Sequence, residues 1–96
     1  MKTATLVRTL DADPERNGVK ALYRMEPPHE GHEYVVASGV RWSYNGQEMA
    51  HECYLFGADA FGGVSERSEL TGSIRNTTDH AKAMGEAGYE IVRASR

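Results

Sequence analysis

The sequence predicts an α+β domain: a four- to five-stranded, mostly antiparallel sheet, running as a meander, with one C-terminal helix packed on one face. Three observations predict it. Two β-rich segments flank Asn45-Gly46, the dipeptide favoured in two-residue type I′ turns. Two segments upstream of them are short, rich in strand formers and separated by short connections. Near the C-terminus a run of small apolar residues lies between an N-capping signal and Gly88. With 96 residues the chain has room for one core, so residues 1–96 form a single domain.

The first strand is expected over about 3–10. The second covers about 19–26, where Val19, Ala21, Tyr23 and Met25 alternate with Lys20, Arg24 and Glu26. Asp13-Pro14 and Asn17-Gly18 mark the turn between them. Pro27-Pro28 is expected to end the second strand, because proline cannot donate to a ladder. The hairpin follows, over about 33–44 and 48–56. With Asn45-Gly46 as its loop, Tyr44 faces Gln47, Trp42 faces Met49, Val40 faces His51, Ser38 faces Cys53 and Val36 faces Leu55. In this register one face is apolar. The other is polar near the turn and apolar at the far end, with Val35, Tyr54 and Phe56, which calls for a cover there. The later loop, the helix or another subunit could supply it.

Residues 57–76 carry four glycines and few apolar side chains, and read as an irregular loop in which Ser65–Leu70 could form one helical turn. The helix is expected over about 78–87, capped by Thr77 or Thr78, with Asp79 suiting the positive end of the dipole. Its packing face is small: Ala81, Met84, Gly85 and Ala87, with Trp42 filling the space. Gly88 suits the left-handed position past the helix end, and Tyr89 the hydrophobic contact after it. A final strand covers 89–93.

Composition narrows the function. Lys+Arg number 11 and Asp+Glu 14, a formal charge of -3, which argues against a binder of nucleic-acid phosphates. Forty per cent of residues are apolar, but no run approaches the ~20 a membrane helix needs. Arg8 and Asp11 break the N-terminal apolar stretch, so it does not read as a signal peptide. A single cysteine, Cys53, excludes an internal disulfide framework and points to a reducing compartment such as the cytoplasm.

The run from Cys53-Tyr54-Leu55-Phe56 through Asp59, Leu70-Thr71-Gly72-Ser73, Asp79-His80 and Gly88-Tyr89-Glu90 resembles small accessory proteins of actinobacterial phages. The resemblance covers roughly residues 50–92 and includes no catalytic motif. At Ser68, before Glu69-Leu70, an aromatic would fit the pattern better. The resemblance implies a phage source, with a host protein as the partner, and no known activity.

Several groups invite a chemical reading. His29-Glu30-Gly31-His32-Glu33 places two histidines and two carboxylates in five residues, so His29 and His32 are candidate metal ligands. Their spacing of three, the prolines before them and Gly31 between them describe a solvated loop rather than a metalloprotease helix. His51 and Cys53 point the same way on one strand. They form a candidate thiolate–imidazole pair, or half a zinc site; the competing reading is a packed core pair. Asp79-His80 is a further candidate pair at the helix start, against a partly packed neutral histidine. The glycines of 57–72 lack the spacing and lysine of a phosphate loop, and Ser65, Ser68 and Ser73 lack a nucleophile elbow. Lys20, Arg24 and Arg41 could share an outer sheet face with Tyr54 and Leu22, but Glu26, Glu33, Glu48 and Glu52 interleave with them. The favoured expectation is a non-enzymatic protein-interaction module, free of cofactors, nucleic acid and membrane. Its contact residues are Val35, Tyr54 and Phe56, with Arg41 and Glu52 at the rim. A homodimer through the second sheet face or an edge strand is a further expectation. A small metal-dependent or cysteine/histidine enzyme using His51 and Cys53 is the alternative.

Overall fold

A computed structural model describes residues 2–13, 18–64, 69–75, 77 and 79–93. Four long strands run as an antiparallel meander: β1 (Thr3–Asp13), β2 (Gly18–His29), β3 (His32–Tyr44) and β4 (Gln47–Ala58). A two-residue β5 (Ile74–Arg75) then pairs with the outer edge of β4. The chain crosses one face as α1 (His80–Glu86), and β6 (Glu90–Arg93) lies parallel to β1 at the opposite edge. The sheet order is therefore β5-β4-β3-β2-β1-β6, five full strands plus the short β5. This is the expected α+β architecture, with one parallel pair that the crossing helix makes possible.

The Asn45-Gly46 turn forms as expected, with both φ values positive, 53° and 79°. The predicted register holds at Tyr44 opposite Gln47, then changes. Ser43 faces Glu48, but Trp42 faces Ala50, so Met49 is an extra residue on β4. Beyond this bulge every pairing is shifted by one. Gly39, not Ser38, faces Cys53, and Ala37, not Val36, faces Leu55.

The β4 residues keep their predicted side, while those of β3 change sides. The core under α1 thus contains Cys53 and Leu55 of β4 with Val35 and Ala37 of β3, together with Tyr23, Met25, Ala4 and Ala21. Val36 and Leu22 are also buried, on the other face, where the register sets Leu22 beside Val36 and Val36 beside Phe56.

The second strand does not stop at the prolines. β2 runs on to His29, because β1 pairs no further than Thr3 opposite Glu26. Past that point one side of β2 is open and asks for no donor, so proline is tolerated. A second tight turn follows, with Glu30 at φ 49° and Gly31 at φ 85°, and pairs His29 with His32.

The helix is shorter than expected. Asp79, rather than a threonine, is the N-cap; its carboxylate accepts from the Ala81 amide at 2.9 Å. Thr77 instead accepts from the Asp79 amide at 3.0 Å, and Thr78 lies outside the described residues. The far end closes as predicted. Gly88 has φ 91°, its amide donates to the Gly85 carbonyl, and the Tyr89 amide reaches the Met84 carbonyl at 2.8 Å, a Schellman pair. The buried helix residues are Ala83 and Met84; Ala81 and Gly85, expected on the packing face, are exposed. The side chain of Trp42 and residues 65–68 of the suggested Ser65–Leu70 helical turn lie outside those described.

Small residues set the depth of the helix. Gly72 has φ 111°, and a Cβ there would lie 2.8 Å from both Ala87 Cβ and Leu55 Cδ1 and 2.9 Å from the Ala83 carbonyl oxygen. Gly72→Ala is therefore expected to destabilise the fold by about 2–4 kcal/mol through strain and overpacking. Gly85→Ala, at a helical position where a Cβ meets nothing within 4 Å, should instead stabilise by up to about 1 kcal/mol. Urea denaturation midpoints of the two variants check both signs.

Candidate functional site

The face of the sheet away from α1 carries the exposed chemistry. Along β4, Glu52, Tyr54 and Phe56 alternate with the core residues Cys53 and Leu55, so they stand on this second face. All three are half-buried, and the rings of Tyr54 and Phe56 approach at 6.1 Å with a 35° tilt. Tyr54 lies beside Ser38 of β3, and Ser38 beside Lys20 of β2. Arg24 and Glu26, two residues apart on β2, form an exposed ion pair at 3.8 Å. Charges of both signs therefore occur on this face, as expected of a solvated sheet surface.

The loop after β4 supplies a cover for part of this face. Asp59 builds it: one carboxylate oxygen accepts from the amides of Phe61 and Gly63, both at 2.8 Å. The Asp59 amide donates to the Gly63 carbonyl, and the Gly62 amide to the Asp59 carbonyl, each at 3.0 Å. The Gly63 and Phe61 amides hold the Asp59 carboxyl below the ordinary range. Arg8, which the register sets opposite Leu22 on the second face, donates to the Phe61 carbonyl. Leu10 lies against Gly62. The turn is thus tied to β1 while the Phe61 ring projects outward, 80% exposed. Every other aromatic side chain described is buried or half-buried. Phe61 is not among the contact residues expected from the sequence. The signal was Asp59-Ala60-Phe61-Gly62-Gly63, an Asx-type turn sequence that places an aromatic at its tip.

Of the five expected contact residues one changes sides, one has its side chain outside those described, and three keep their place. Val35 is fully buried in the core under α1, because the Met49 bulge turns it to that face, and it cannot meet a partner. Arg41 pairs with His51 in the shifted register, and its side chain lies outside those described. Glu52 stays on the second face, opposite Val40 and beside Arg75 of β5. Tyr54 and Phe56 keep their place.

Cys53 lies in the core as expected, fully buried, and the side chain of His51 falls outside those described. Burial, with the nearby Asp79 charge, pushes the Cys53 thiol up to about 11. Burial first, and then the Cys53 and Asp79 charges, raise Tyr23 as well. Tyr23 shares a 3.1 Å hydrogen bond with His80 Nδ1, and the two rings meet edge to face. Half-buried His80 is thus packed on the sheet, and the adjacent Asp79 carboxylate caps the helix.

The His29–Glu33 run is not simply a solvated loop. His29 is buried; its Nε2 lies 2.7 Å from the Thr71 carbonyl oxygen, so this nitrogen carries the proton. Its ring meets Tyr89 edge to face, and the Tyr89 hydroxyl donates to the Pro27 carbonyl at 2.6 Å. The His32 ring lies over Gly57, in space that a Cβ at position 57 would enter. Packing thus occupies both histidines proposed as ligands. Among the described residues no three of His, Cys, Asp and Glu gather in a way that could hold a metal ion. No described helix is long and apolar enough to cross a membrane.

Compared with known proteins, the chain matches no family model, no curated protein and no solved structure.

The buried thiol fixes a pH dependence. An unfolded Cys53 ionises near 9.0, while the folded chain holds the proton to about 11. The contribution is fully present below pH 9.0 and is lost as pH rises towards 11, because only the unfolded state has released its proton there. The urea midpoint should fall across this window, and less steeply in Cys53→Ala. A thiol reagent at pH 8 should leave native Cys53 unlabelled and label it fully in denaturant.

Proposed function

We propose that the protein is a small interaction module without catalytic chemistry of its own, which contacts a partner protein through the second sheet face. Phe61 is the anchor, Tyr54 and Phe56 add aromatic surface, and Glu52 lies towards the rim. The observation that carries this reading is the Phe61 turn. An aromatic ring 80% exposed is held out by a turn that Asp59 and Arg8 have already ordered. Ordering before binding lowers the entropy lost on association, and buried aromatics dominate interface energetics. The resemblance of residues 50–92 to phage accessory proteins supports a partner in the host cytoplasm.

The alternative cysteine/histidine enzyme would need Cys53 as an accessible thiolate. A fully buried thiol raised to about 11 weighs against it.

The test begins with capture and identification of a host protein, followed by titration of the two purified proteins. Phe61→Ala should weaken binding by about tenfold or more while leaving the melting temperature unchanged. Equal affinity of wild type and Phe61→Ala would remove Phe61 as the anchor. Stoichiometric zinc in protein purified without added metal, lost in Cys53→Ala, would favour the alternative.

A further inference from the structure

The segment Leu70–Arg75 lies along the outer edge of β4 as a strap. Its main-chain ties to the sheet are few: the Leu70 amide donates to the Leu55 carbonyl at 2.8 Å, and β5 pairs only Ile74 and Arg75 with Cys53 and Glu52. The outward amide of Leu55 has no main-chain acceptor in the strap and donates instead to Ser73 Oγ at 3.0 Å, which in turn donates to the Leu70 carbonyl. Gly72 rests on Leu55, Ala83 and Ala87 without adding a side chain of its own.

The strap is fastened from a distance. The Thr71 amide donates to Glu30 Oε2 at 2.7 Å, and the Thr71 carbonyl accepts from His29 Nε2. Both main-chain polar groups of that residue are thus held by side chains at the β2–β3 junction, and its hydroxyl also donates to Glu30 Oε1 at 3.4 Å. Glu30 is itself in the left-handed region, φ 49°, which a long side chain seldom adopts. Such a conformation persists where surrounding contacts enforce it.

We propose that Leu70–Arg75 is a latched strap, fastened by Glu30 and His29 to Thr71, which opens as a unit while the β1–β4 meander stays folded. Opening breaks the Glu30 and His29 bonds, the two-residue β5 pairing and the Leu70 and Ser73 bonds, and withdraws Leu70 and Ile74 from the core they pack against. It leaves every pairing of β1 with β2, β2 with β3 and β3 with β4 in place, and the Schellman closure of α1 untouched.

Native-state hydrogen exchange of the whole chain tests this, read at single amides. In wild type the Leu55 and Leu70 amides should exchange faster than the paired amides of β2 and β3. Glu30→Ala should accelerate Leu55 and Leu70 by roughly tenfold and leave the β2 and β3 amides unchanged. Glu30→Gln keeps an acceptor for Thr71 and should give a smaller acceleration at the same two amides. Ser73→Ala should accelerate them from the other side of the strap. If Leu55 and Leu70 exchange in wild type only as fast as the slowest β2 and β3 amides, the strap does not open on its own. If Glu30→Ala shifts all these amides together, or none, the latch is refuted.

Discussion

One extra residue on β4 decides which side chains form the core. Without the bulge at Met49, the hairpin would place Val36 and Ser38 beside Leu55 and Cys53, under the helix. With it, Val35 and Ala37 take that position, and Val36 and Ser38 turn to the far side. The consequence is a core of modest volume on the helix side, where Ala4, Ala21, Ala37 and Ala83 interleave with Leu55, Met25 and Met84. A seven-residue helix can cover that surface because it sits close. Gly72 shows how close: the backbone of the strap fills the space between Leu55 and the helix, and no side chain fits there.

The same shift leaves apolar residues on the second face, which a single short helix cannot also cover. The chain answers with a loop rather than a second layer. Arg8 and Leu10 of β1 hold the turn that Asp59 builds, and Leu22 and Val36 are buried on that side. Tyr54 and Phe56 are left half-covered and Phe61 stands outside. The strap and the turn, both parts of residues 57–76, thus finish the two faces separately: one seals the β4 edge, the other lies over the back of the sheet.

Local signals were legible where the chemistry was local. The Asn45-Gly46 turn, the Gly88 closure with Tyr89, the strand segments and the burial of Cys53 follow from φ preferences and alternation over a few residues. The bulge was not legible. Met49 and His51 alternate as well as any pair on that strand, and a bulge leaves the alternation on either side of it intact. The misplacement of Val35 follows from that one residue. The cap is Asp79 rather than a threonine: Thr77 accepts from the Asp79 amide, outside the helix, and Asp79 accepts from Ala81 within its first turn. The extension of β2 through Pro27 and Pro28 depended on where β1 begins, which is a tertiary fact. The role of His29 and Glu30 was hidden for a similar reason: their partner Thr71 lies about forty residues away, and nothing near the turn names it.

Polar groups that read as chemistry in the sequence are spent on architecture in the fold. His29 and Glu30 hold a peptide group, His32 packs on a glycine, Asp79 caps a helix, and Asp59 orders a turn. His29, Glu30, Asp79 and Asp59 each satisfy backbone donors or acceptors that lie outside the regular ladders. A catalytic group must keep a lone pair or proton free for substrate. His29, Glu30, Asp79 and Asp59 have given theirs to the backbone, and the Cys53 thiol is buried and holds its proton up to about 11. Among the described residues, one aromatic ring stands exposed at the tip of an ordered turn, with two half-covered rings on the same side of the sheet. The proposed interaction draws on that surface, because recognition by shape and apolar burial uses rings that are held in place before a partner arrives.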